Sequence, residues 1–82
     1  MNADFQVQID NVFTPIAAGN TRKFRVTNPA GNPTVEYKTS EGAGPTTVAA
    51  NANSGLVTSY IDALWLRSQG ARCAVRVELV ES

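Results

Sequence analysis

The stretch Arg72-Cys73-Ala74-Val75-Arg76-Val77-Glu78-Leu79 decides the fold class. Cys73, Val75, Val77 and Leu79 alternate with Arg72, Ala74, Arg76 and Glu78. Apolar side chains at every second position mark a strand with one buried and one solvated face. Just upstream, Ser68-Gln69-Gly70-Ala71 has turn composition, with Gly70 able to supply a positive φ. Before it, Leu64 and Leu66 alternate with Ala63, Trp65 and Arg67. The pattern predicts a terminal hairpin of residues 64–67 and 72–79, with Arg67 near Arg72 and Trp65 near Ala74. Residues 59–67 also admit a short helix, with Ser59 as N-cap and Asp62 at N3. Ile61, Leu64, Trp65 and Leu66 would wrap too much of that helix for a small domain. A strand is therefore expected over 63–67, preceded by an irregular or single-turn segment.

The same period runs through the rest of the chain. Phe5, Val7 and Ile9 alternate with Gln6, Gln8 and Asp10. The phase breaks at Asn11 and resumes one position later at Val12-Phe13, which predicts a bulge or bend near Asp10-Asn11. Thr14-Pro15 and Gly19-Asn20 punctuate the next segment. A second strand is expected over 21–27, with Phe24 and Val26 inward and Lys23, Arg25 and Thr27 outward. The turn-rich segment 28–33 leads to a third strand over 34–39, where Val35 and Tyr37 alternate with Glu36 and Lys38. These two strands are expected to pair as a hairpin that sets Arg25 against Glu36. Residues 40–44 and 50–55 read as surface loops around a weak strand at 45–50. About six short strands in one domain predict a small antiparallel β-sandwich or barrel.

Composition narrows the function. The chain has 82 residues, one cysteine and no histidine. A single cysteine cannot form an intrachain disulfide. A lone thiol with scattered carboxylates is no transition-metal set, so no metal or other cofactor is implied. Nucleophile triads that depend on histidine are excluded, and no phosphate-binding or calcium loop is present. The chain is not expected to be an enzyme. Cys73 is read as a small buried hydrophobe; Asp10 is read as a turn residue and Asp62 as a cap. Seven basic residues balance seven acidic ones, which argues against a nucleic-acid binder. No apolar run approaches the ~20 residues of a membrane helix. Residues 1–4 have neither a basic nor an apolar segment of the secretory kind, so a reducing cytoplasm is the expected place of synthesis. A small core without disulfide or metal favours support from association, with copies of itself or with a larger scaffold.

Trp65 is the candidate binding residue. On the predicted hairpin it shares an outer face with Arg67 and, across the pairing, Arg72, Ala74 and Arg76. A tryptophan among arginines suits a protein interface or a sugar-stacking platform, in which Tyr60 could join it. It could equally be core beneath a second layer. Val80 extends the last strand, whose edge is a candidate for pairing with a neighbour's sheet. The candidate interface is therefore Trp65, Arg67, Arg72, Arg76 and Val80.

Small-residue loops such as EGAGPTT (41–47) and AANANSG (49–55) come after an opening of FQVQI (5–9) and AGNTRKFRV (18–26). In these features the chain resembles the small all-β virion proteins of tailed bacteriophages, of the head-decoration and minor-capsid type. The resemblance implies a structural role on the capsid surface, clamping coat subunits, often as trimers. It transfers no functional residue, because no motif is matched. A carbohydrate-binding β-sandwich module is the alternative.

Overall fold

The computed structural model describes residues 3–80. Seven strands are present: β1 (Ala3–Ile9), β2 (Thr14–Asn28), β3 (Val35–Lys38), β4 (Thr46–Val48), β5 (Ala52–Asn53), β6 (Val57–Ser68) and β7 (Cys73–Val80). They form one antiparallel sheet in the order β1-β7-β2-β6-β3-β4, with β5 beside the end of β2. The sheet is not closed into a barrel. It folds over so that its halves enclose a single core. A shortest extent of 17 Å accommodates two layers about 10 Å apart. Phe24 of β2 and Tyr37 of β3 meet edge to face across the layers, ring centroids 5.4 Å apart. The all-β, sandwich-like architecture read from the period-two pattern is the one observed.

Strands β2 and β6 form the corner. Their N-terminal and C-terminal ends pair at Thr14↔Leu66 and Ala17↔Ala63, where β3 flanks β6. Their other ends pair at Lys23↔Thr58 and Phe24↔Val57, where β7 flanks β2. The register slips twice between these ends. Gly19 and Asn20 supply the turn, with left-handed φ of 58° and 60°. These are the residue types that enter that region at least cost. The buried Thr21 hydroxyl donates to the Ala18 carbonyl across the bend. Inward positions on β2 therefore run Ile16, Ala18, then Thr21, then Phe24, Val26 and Asn28. On β6 they run Val57, Ile61, then Leu64, Leu66 and Ser68. Strands that switch layers through bulges are how one sheet makes both sides of a sandwich.

This topology corrects both predicted hairpins. Strand β6 does not pair with β7; it pairs with β2 and β3, while β7 lies between β1 and β2. Residues 69–72 cross from one layer to the other. Gly70 has no positive φ; a Cβ there would approach Pro33 Cβ to 3.1 Å, so close packing is what it serves. Strand β2 likewise does not pair with β3, and Arg25 faces Glu78, not Glu36. The last strand is interior to the sheet, so the edge expected at Val80 is not there. The irregular segment expected before Ala63 is instead continuous strand from Val57.

Asn28 locks the β2–β3 connection. Its buried side-chain amide donates to the carbonyls of Pro33 (2.9 Å) and Val48 (3.1 Å). Its oxygen accepts from Asn32 at 3.1 Å, and Asn32 donates in turn to the Ala74 carbonyl at 2.8 Å. Two side-chain amides, Asn28 and Asn32, thus tie β2, β4 and β7 together, and Asn28 holds the segment that leads into β3.

Candidate functional site

With two layers and one core, the sheet has two outer faces. The first belongs to β1, β7 and the C-terminal half of β2. It carries Asp4, Gln6 and Gln8, then Ala74, Arg76 and Glu78, then Lys23, Arg25 and Thr27. Arg76 holds Asp4 through two nitrogens, Nε to Oδ1 at 2.8 Å and Nη2 to Oδ2 at 2.5 Å. That hydrogen-bonded pair keeps the Asp4 carboxyl below its ordinary range and raises the Arg76 guanidinium. Arg25 reaches Glu78 at 3.4 Å. Two of the arginines on this face are thus paired with carboxylates, and Val80, beside Lys23, is its one large apolar side chain among the described residues.

The second outer face is different. Register places Glu36 beside Arg67 on β3 and β6, and Lys38 beside Trp65. Pro15 lies on the other side of Trp65. Phe13 immediately precedes the Thr14↔Leu66 pair and so stands next to Arg67. The Phe13 ring is met by two cations, Lys38 Nζ at 4.3 Å and the Arg67 guanidinium carbon at 4.4 Å from its centroid. Lys38 Nζ also lies 5.6 Å from the Trp65 ring centroid, and it donates to the Glu41 carbonyl at 2.7 Å. Arg67 donates through Nε and Nη2 to one oxygen of Glu36, at 3.0 Å through Nε. Glu36 is only 6% exposed, so this carboxylate depends on Arg67 for its charge partner. Beside the pair an open, polar depression of about 460 Å³ is lined by Asn11, Glu36, Arg67, Ser68 and Gln69. The result is a half-buried patch of two aromatic rings, a proline and two stacked cations on the outside of the domain.

The five predicted interface residues do not share this face. Trp65 and Arg67 do. Arg76 lies on the opposite face with Asp4. Arg72 sits in the β6–β7 connection, 3.7 Å from Asp10, with both side chains well exposed. Val80 pairs with Lys23 and borders a separate depression of about 300 Å³ with Ala3, Asp4, Glu78 and Leu79. These residues are dispersed because β6 and β7 lie in different parts of the sheet and do not form a hairpin. Phe13 and Lys38 complete the patch instead. No linear signal places Phe13 on this face: it lies just before β2, and only the Thr14↔Leu66 register brings it beside Arg67. Tyr60 is exposed but five residues along β6 from Trp65, roughly 16 Å at strand rise, so the two rings make no common platform.

Among the described residues no group of three or more His, Cys, Asp or Glu side chains could hold a metal ion. Cys73 is half-buried with a free thiol, packed against the core. No helix is long and apolar enough to cross a membrane among those residues. In comparison with known proteins, the chain matches no family model, no curated protein and no solved structure.

Proposed function

We propose that this domain is a non-catalytic structural protein that binds a protein partner through the outer face of β3 and β6, bridging coat subunits on a virion surface. The observation that carries the reading is the patch itself: Phe13, Pro15 and Trp65 gathered outside the core with Lys38 and Arg67 over the rings. Aromatic and arginine side chains on rigid strands are the composition of interface anchors. The cations are held by Phe13 and Glu36 before any partner arrives, so little side-chain freedom is lost on docking. The sandwich supplies the rigid platform, and the small-residue loops around β4 leave the face open.

The carbohydrate alternative is less well supported. A sugar ring needs a free aromatic face, and the Lys38 ammonium stands over the indole.

The test has two steps: a search of the surrounding genes for a major coat protein, whose absence refutes the reading, then co-sedimentation of the purified chain with shells assembled from that protein. Binding that is retained in Arg76→Ala and lost in Trp65→Ala, with both variants folded, is the expected result. Absence of binding to such shells refutes the reading. Glycan-array binding lost in Trp65→Ala would replace it with the carbohydrate module.

A further inference from the structure

We infer that two copies of this chain associate through the outer edge of β1, which pairs with itself across a two-fold axis at Gln6. This edge goes beyond the proposed function and shares no residue with the β3–β6 patch.

Strand β1 ends the sheet, with β7 on one side only. Among the described residues, no backbone group of 3–9 bonds to anything outside the ladder to β7. Its outward N–H and C=O groups form a row of unused donors and acceptors. Natural edge strands are usually blunted by proline, lysine, a bulge or short length. The opposite end of the sheet obeys that rule: β4 has three residues and is preceded by Pro45. Strand β1 does not. It runs seven residues, ADFQVQI, without proline, glycine, lysine or a register slip.

The occupant is a second copy because the sequence is self-complementary in one register. An antiparallel pair centred on Gln6 uses all seven residues. It sets Phe5 against Val7 of the second copy and Ala3 against Ile9. On the other face Asp4 meets Gln8, and Gln6 meets Gln6. Apolar pairs fall on the core side, and a Gln–Gln pair flanked by two Asp–Gln pairs falls on the solvent side. The two Asp4 carboxylates stay apart, each held by its own Arg76. A register centred on Val7 would oppose Asp4 to Asp10 and run into the bend after Ile9. A slip by one residue would set apolar side chains against polar ones. Phe5 and Val7 are only partly covered in the single chain, so the pairing continues the apolar layer as well as the backbone ladder.

Cysteine scanning in a Cys73→Ala background reads the register directly. Opposed Cα atoms in an antiparallel pair lie ~4.5–5.5 Å apart, within disulfide range. Gln6→Cys is expected to oxidise to a covalent dimer at least about tenfold faster than Gln8→Cys or Asp4→Cys, because only position 6 meets itself. Light scattering of the unmodified chain should show a dimer that grows with concentration, and Gln6→Lys, an exposed change that brings two like charges together, should abolish it. A chain that stays monomeric up to its solubility limit overturns the inference. So does crosslinking of Gln8→Cys as fast as Gln6→Cys. A chain that dimerises this way and ignores every coat shell would retain this inference while losing the proposed function.

Discussion

Replacing Asn28 with alanine tests the connection that positions β3. The side chain has no exposure and makes three hydrogen bonds, two as donor and one as acceptor. Alanine leaves the Val48 carbonyl without its buried donor. It also leaves the Pro33 carbonyl to be rescued by water, while Asn32 keeps its bond to Ala74. One buried acceptor left unpaired, together with the hydrogen bonds lost to Pro33 and Asn32, costs about 2–4 kcal/mol. A chain of this size has about 4–12 kcal/mol of total stability, so the variant should be marginal. The expected fall in Tm is roughly 10–25 °C. Urea unfolding followed by Trp65 fluorescence measures it, because the single tryptophan sits on β6, against the lysine of β3. Asn28→Asp adds a second reading. Its carboxylate would face two carbonyl oxygens in a buried site, which raises its pKa above the unfolded value. The folded state then binds more protons than the unfolded one, so this variant should gain stability as pH falls from 7 towards 4. A loss below about 1 kcal/mol for Asn28→Ala, with an unchanged urea slope, would refute the claim that this amide holds the connection.

Arg67→Ala should destabilise by about 1–3 kcal/mol, discounted for the partial exposure of the guanidinium; the double variant with Glu36→Leu should recover part of it, read by a double-mutant cycle in urea. Gly19→Val should cost more than 1 kcal/mol, since the left-handed φ disfavours a β-branched residue, whereas Asn20→Gly should be close to neutral; thermal melts of the pair separate the two. NMR titration should find the Asp4 carboxyl below the ordinary aspartate range and return it there in Arg76→Gln. Because that pKa is depressed on folding, its contribution to stability is present above the unfolded value and lost as pH falls through the folded one. A melting series that shows the opposite slope in this acid window, and is insensitive to Arg76→Gln, would contradict the pairing.

The fold class was legible because period two survives wherever a strand stays in one layer. Residues 73–79 and 5–9 show it without interruption, and both are strands with the expected inward faces. Where a strand turns the corner, the period fails. Inward positions three apart on β2 (Ala18, Thr21, Phe24) and β6 (Ile61, Leu64) read as noise or as helix in a linear scan. The same bends hide the pairing. Short connections suggested that neighbours in sequence were neighbours in the sheet, but residues 69–72 and 29–34 each cross between layers. The candidate site suffered accordingly. Trp65 and Arg67 were placed on one face by strand alternation alone, a local property. Their true companions, Phe13 and Lys38, come from elements that only the register brings alongside.

The adjacency of β1 and β7 has a consequence for how the chain acquires its structure. Ala3 is opposite Leu79, so the first strand can find its partner only when nearly all of the described chain exists. Topologies dominated by such distant pairings fold in milliseconds to seconds, far slower than helical bundles. At synthesis rates of roughly 5–20 residues per second, β1 also waits several seconds before β7 leaves the ribosome. During that interval a low-charge, proline-free segment is unpaired on both edges, the state in which nascent chains aggregate. Asp4, Gln6 and Gln8 are then the only polar side chains of that strand to oppose its association.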